Sequence, residues 1–120
     1  MSKRVMGISL ISAILIFVAV ILLALCTIPM KNTLENDKLT VKFIIGKEEI
    51  NMKGAQFYPV PDEVNNHIIK LFGTSIGKKR AGNFMNTKTK TRFKFYLTGY
   101  GERVYFEIGN KKYLVDGLSN

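Results

Sequence analysis

The chain has 120 residues, is 47% hydrophobic and carries a formal charge of +9, so it holds one small domain beside any special segment and favours anionic partners. One cysteine and one histidine, Cys26 and His67, exclude a disulfide framework and argue against a thiol or histidine metal centre. No nucleophile-base-acid set, phosphate loop or metal-ligand spacing occurs, so an enzyme ranks last among the functional classes and no cofactor is expected.

Residues 1–4 form a basic tail, and residues 5–29, VMGISLISAILIFVAVILLALCTIP, contain no charge. Roughly 20 apolar residues cross a hydrocarbon core of about 30 Å, so this run predicts one transmembrane helix that includes Cys26, with Met30 at its edge. The run exceeds the apolar core of a secretory signal, about 7–15 residues, and bulky Leu25 sits where a lipoprotein cleavage box needs a small residue; an uncleaved signal anchor follows. Lys3 and Arg4 precede the span while Lys31, Lys38 and Lys42 follow it. A short basic tail stays in the cytoplasm, which places a single-pass protein in the cell membrane with its domain outside the cytoplasm.

Residues 30–38, MKNTLENDK, show no apolar period and read as a flexible linker of about 16 Å. The domain is expected over residues 39–118. From Leu39 the period is two, with Val41, Phe43 and Ile45 on one side and Lys42 and Ile44 on the other. Ile50 and Met52 mark a weaker strand closed by Gly54, and the prolines of residues 56–61 suit an edge or a turn. PDEVNNHIIKLF fits either a helix capped by Asp62 or a turn followed by a strand, and the second is preferred. Residues 73–83, GTSIGKKRAGN, read as a loop by their three glycines. In residues 87–98 strict alternation puts Thr87, Thr89, Thr91, Phe93, Phe95 and Leu97 on one face and Lys88, Lys90, Arg92 and Lys94 on the other. Residues 99–101 turn the chain, Val104, Phe106 and Ile108 return it, and Tyr113 and Val115 after Gly109-Asn110 close a three-stranded meander. Residues 116–120 then fray.

The order GKKRAGN, RFKFYLTGYG, VYFEI, KKYLV resembles the bacterial pleckstrin-homology-like domains of small membrane proteins, over about residues 39–118 and most specifically from Gly77 onward. The resemblance implies a mainly β fold, a small antiparallel barrel or curved sheet preceded by the transmembrane helix. Such domains usually end in a capping helix, whereas this sequence stops within about five residues of its last strand, which implies a smaller, partly open barrel. It implies binding without naming a ligand. Family versions that bind phosphoinositides set Lys and Arg around a strand-loop-strand corner, matched here only by residue type at Lys78, Lys79, Arg80, Lys90 and Arg92.

Residues 64–101 contain Lys70, Lys78, Lys79, Arg80, Lys88, Lys90, Arg92 and Lys94 and no carboxylate. The candidate anion- or lipid-binding residues are Lys78, Lys79, Arg80, Lys88, Lys90, Arg92 and Lys94, each worth about 1 kcal/mol near an anionic surface. The competing reading is a solvated face that protects a sheet edge. Tyr96, Tyr100 and Tyr105 fit either head-group anchors or half-buried sheet positions. The carboxylates Glu48-Glu49 and Asp62-Glu63 are adjacent, so within a strand each pair points apart, a poor start for acid-base work. The expected function is a membrane-anchored binding module that contacts anionic lipid or envelope polyanions; the alternative is a scaffold or accessory subunit of a membrane protein complex. Its partners are the bilayer, anionic lipid or another membrane protein, with nucleic acid ranked below these because the anchor confines the domain.

Overall fold

The uncharged run folds as helix α1 (Lys3–Leu25) in a computed structural model that describes residues 3–119, with side chains from residue 9 to residue 118. The expected basic tail therefore lies in part outside the described residues: residues 1–2 altogether, and the side chains of Lys3 and Arg4. Every side chain from residue 9 to residue 23 is exposed, Leu10, Phe17 and Leu23 by 63%, 65% and 68%, so among its described side chains the helix meets the domain only through its last residues. Among the described residues no helix is long and apolar enough to cross a membrane. The described side chains of α1, residues 9–25, cover about 25 Å of helix. The helix stops at Leu25, where the Thr27 hydroxyl donates back to the Ala24 carbonyl at 2.9 Å, which leaves Cys26 in a turn rather than in a span.

Strand β1 (Pro29–Glu35) begins where a linker was expected, and it holds Met30. Its one fully buried polar side chain, Asn32, donates from Nδ2 to the carbonyls of Tyr96 and Asp116, both at 2.8 Å. An interior asparagine removes the apolar alternation that would have marked the strand. Asn36 and Asp37, both with positive φ, make a two-residue turn into β2 (Lys38–Phe43), which pairs in turn with β3 (Lys47–Asn51). A four-stranded sheet of order β10-β1-β2-β3 results, closed by the parallel strand β10 (Leu118–Ser119) in the stretch expected to fray.

The second sheet has six strands in the order β4-β8-β9-β7-β6-β5, and the two sheets do not close into a barrel. The prolines bound the short edge strand β4 (Gln56–Tyr58), and a 3₁₀ turn, Asp62–Val64, precedes β5 (Ile68–Ile76), as preferred over a helix. β5 and β6 (Lys79–Asn86) run through most of the stretch expected as a loop, leaving only Gly77-Lys78 as turn. Gly73 and Gly82 are cross-strand partners with φ of 124° and 122°, and a Cβ on Gly82 would lie 2.2 Å from the Phe72 carbonyl oxygen. These glycines serve close backbone approach inside a sheet rather than loop freedom. The meander is also corrected. β7 (Arg92–Leu97) and β8 (Arg103–Ile108) do not pair; β9 (Lys111–Asp116) lies between them, parallel to β7 and antiparallel to β8.

The six-stranded sheet is covered on both faces. Against the four-stranded sheet, Ala81, Tyr96, Phe106, Tyr113 and Val115 pack on Leu39, Val41, Ile50 and Met52. On the opposite face Phe84, Phe93, Phe95, Leu97, Tyr105 and Leu114 pack under Val64, with Val60 and Ile68 beside them, where the chain crosses from β4 to β5. Burial on both faces is why Lys94 alternates with Phe93 and Phe95 yet shares its face with buried Tyr96.

Candidate functional site

The seven candidate cations do not form one stripe. Residues 87–90 are a turn, fixed by Asn86: its Oδ1 accepts from the amides of Lys88 and Thr89 at 2.9 and 3.0 Å, and its carbonyl accepts from the Lys90 amide at 2.8 Å. Lys90 there adopts a φ of 62°. Lys88 and Lys90 thus stand at the far end of the β6–β7 hairpin from Lys78. Arg92 pairs with Met85 and Arg80 with Leu97, five positions apart along the strand, or roughly 17 Å. Arg92 and Lys94 belong to a different neighbourhood, a cleft of about 190 Å³ shared with Lys111, Lys112, Asn83 and Asn110. Lys94 also lines a cleft of about 200 Å³ under the end of α1, with Cys26, Thr27 and Phe72. The Thr27 and Thr74 hydroxyls join across this junction.

Lys79 is committed to the fold. Its Nζ donates to the Thr98 carbonyl at 3.0 Å and the Pro29 carbonyl at 3.4 Å, and lies 5.2 Å from the centroid of the Tyr100 ring. It ties the start of β1 to the end of β7. The neighbouring Lys78 and Arg80 line a notch of about 280 Å³ with Arg103, which residue patterning in the acid-free interval did not reach because Glu102 ends that interval. Gly77, Gly99 and Gly101 form its walls. Gly99 and Gly101 are held with φ of 91° and 77° so close to their neighbours that a Cβ would come within 2.8 Å of Lys78 Cβ and 2.9 Å of Gly117 Cα.

The notch has a floor of fixed polarity. Asp116, 3% exposed, accepts from the Thr98 amide at 2.7 Å, the Thr98 hydroxyl at 2.8 Å and the Gly99 amide at 2.9 Å. Arg103 donates from Nη1 to Asn65 Oδ1 at 2.8 Å. Among the described residues the ion pairs are Lys38–Glu49 and Lys47–Glu49, at 3.3 and 3.1 Å, so Lys78, Arg80 and Arg103 have no carboxylate within ion-pair distance.

Three of the other acids, Glu48, Glu49 and Glu63, are engaged away from the notch. Glu49 is held below the ordinary value by Lys47 and then Lys38, and Glu63 by the hydroxyls of Thr89, 2.6 Å away, and Thr91. Glu48 accepts from the Tyr96 hydroxyl at 2.9 Å. Burial first, and the Glu48 charge next, push the Tyr96 phenol above its usual range; burial and then Glu107 do the same for Tyr105. Of the three tyrosines, Tyr96 and Tyr105 are core residues, and Tyr100 alone is exposed, by 71%.

The profile of one family, described as bacterial PH domain, matches residues 30–117. The match starts with β1, in the stretch read as a linker, and ends beside β10. No curated protein and no solved structure matches the chain.

Proposed function

The chain belongs to the bacterial PH domain family, and from that premise we propose that it is a non-catalytic binding module, held at a membrane by α1, whose β domain contacts anionic lipid or envelope polyanions. The observation that carries this reading is the helix itself: apolar on every side, exposed from residue 9 to residue 23, and joined to the domain by only three residues between Leu25 and Pro29. A helix that is apolar all round needs a protein core or a lipid one, and the domain provides no cover for it. Its 21 uncharged residues, Val5 to Leu25, amount to about 32 Å, against a hydrocarbon core of about 30 Å. Lys3 and Arg4 favour a cytoplasmic N-terminus and a domain on the outer side.

Washing membranes from expressing cells with about 0.5 M salt, where the Debye length falls to about 4 Å, tests the anchor. The full chain is expected to stay in the membrane fraction, and Ile14→Asp with Phe17→Asp to release it. A wild-type chain washed off by salt overturns the anchor.

A second reading, an accessory subunit that binds protein through the β domain, draws on β5. This strand stands at a sheet edge and exposes Leu71, Phe72 and Ile76 by 43%, 72% and 55%, a surface suited to strand addition. Photo-crosslinking from position 72 in intact membranes separates the readings, since a discrete protein adduct belongs only to the second.

A further inference from the structure

We propose that the notch of Lys78, Arg80 and Arg103 is a binding site for one phosphate group, supplied by the head group of an acidic phospholipid or by free phosphate; the lipid source rests on the membrane reading above. Three cationic side chains line the notch, among the described residues without an ion-pair partner, and the one described carboxylate that lines it, Asp116, already accepts three hydrogen bonds. One negative charge against three positive ones leaves a formal +2, the complement of a phosphate dianion. Two guanidinium forks suit phosphate oxygens better than point charges do, and Asn65 steadies one of them.

The notch is built rather than incidental. It exists because Gly99 approaches Lys78 and Gly101 approaches Gly117 more closely than any side chain permits, drawing the ends of β6, β7, β8 and β9 together with their charges. At about 280 Å³ it lies below the range of about 300–1,000 Å³ typical of drug-sized ligands, so it takes a head group and not a whole lipid or nucleotide. Its place fits a membrane source. Lys79, next to both Lys78 and Arg80, bonds the Pro29 carbonyl, and Pro29 is four residues beyond the end of α1, at most about 14 Å of chain.

The test uses the full chain in two settings, with amide NMR shifts at Gly77, Gly99 and Gly101 as readout. In uncharged detergent the probe is inorganic phosphate; in nanodiscs it is phosphatidic acid within phosphatidylcholine. Saturable shifts in either setting, weakened about tenfold or more by Lys78→Gln with Arg103→Gln and unchanged by Lys111→Gln, support the site, and the responding setting names the source. Lys78, Arg103 and Lys111 are exposed, so these variants retain the fold. No shift in either setting, or shifts that survive the double substitution, overturn the site. A chain that stays in salt-washed membranes without these shifts sinks the notch alone; one washed off by salt that still binds phosphate sinks the anchor alone.

Discussion

Asp116 holds three donors of the Thr98-Gly99 corner from a position 3% exposed, so Asp116→Ala leaves them unmatched in the interior. A loss of about 3 kcal/mol or more is expected, read as a fall of roughly 10 °C or more in unfolding temperature, with Asp116→Asn losing about half as much because one acceptor oxygen remains. Tyr96 contributes to the alkaline limit together with Tyr105 and Tyr113, whose phenols burial also pushes up. The folded Tyr96 phenol titrates above the unfolded value of 10.0, so its contribution is whole below pH 10 and is lost as pH rises through the folded-state value. Wild-type stability should therefore drop above pH 10, and Tyr96→Phe should lessen that drop; equal slopes in denaturant titrations would clear Tyr96. Neither residue was legible as a stabiliser. Asp116 stood in a stretch that reads as fraying, and Tyr96 in a strand whose second face is basic until the other sheet covers it. Lys78 and Arg80 were legible as candidate anion contacts, whereas Lys79, identical in type, points inward to two carbonyls that no one-dimensional pattern reveals.

At the scale of elements, period-two alternation located β2, β3, β7, β8 and β9 from the apolar residues of one face, although β7, β8 and β9 bury neighbouring residues on both faces. It missed β1, whose interior residue is Asn32, and it misread as loop the second half of β5 and most of β6, whose glycines look like loop. Gly82→Ala tests that correction. With a φ of 122° and a Cβ 2.2 Å from the Phe72 carbonyl oxygen, alanine should destabilise the domain by about 3 kcal/mol or more, whereas Gly46→Ala, with nothing within 4 Å of its Cβ, should cost only its positive-φ strain of about 1 kcal/mol. Comparable unfolding midpoints for the two variants would return this segment to a loop. The Asn36-Asp37 pair was the available signal for the first hairpin, and it goes unread when the strand before it lacks apolar alternation.

For the whole molecule, helix and domain share one frame. The amides of Ile44 and Ile45 donate to the carbonyls of Ile28 and Leu25, both at 3.2 Å, and Lys79 holds Pro29, so the domain is clamped rather than tethered. Six Gly/Ser residues inserted between Ile28 and Pro29 should free it, broadening the distance distribution between spin labels on α1 and β8; an unchanged distribution would mean the clamp does not depend on chain length. Sheet order carries a further consequence, for synthesis. The central strand β9 is made after both of its neighbours, and 19 residues separate Leu97 from Asp116, about 1 to 4 s of translation, while a hairpin closes in about 1–10 μs. Once β8 is complete at Ile108, for the last 8 of these residues or about 0.4 to 1.6 s, β7 and β8 are free to zip directly to each other across the Gly99–Gly101 turn, the pairing their sequence favours and the finished sheet forbids. Nascent and refolding chains should thus pass through a misregistered hairpin that must open before β9 can enter. Refolding should then slow as denaturant is diluted, with the folding limb of the chevron bending downward; a straight limb would remove the trap.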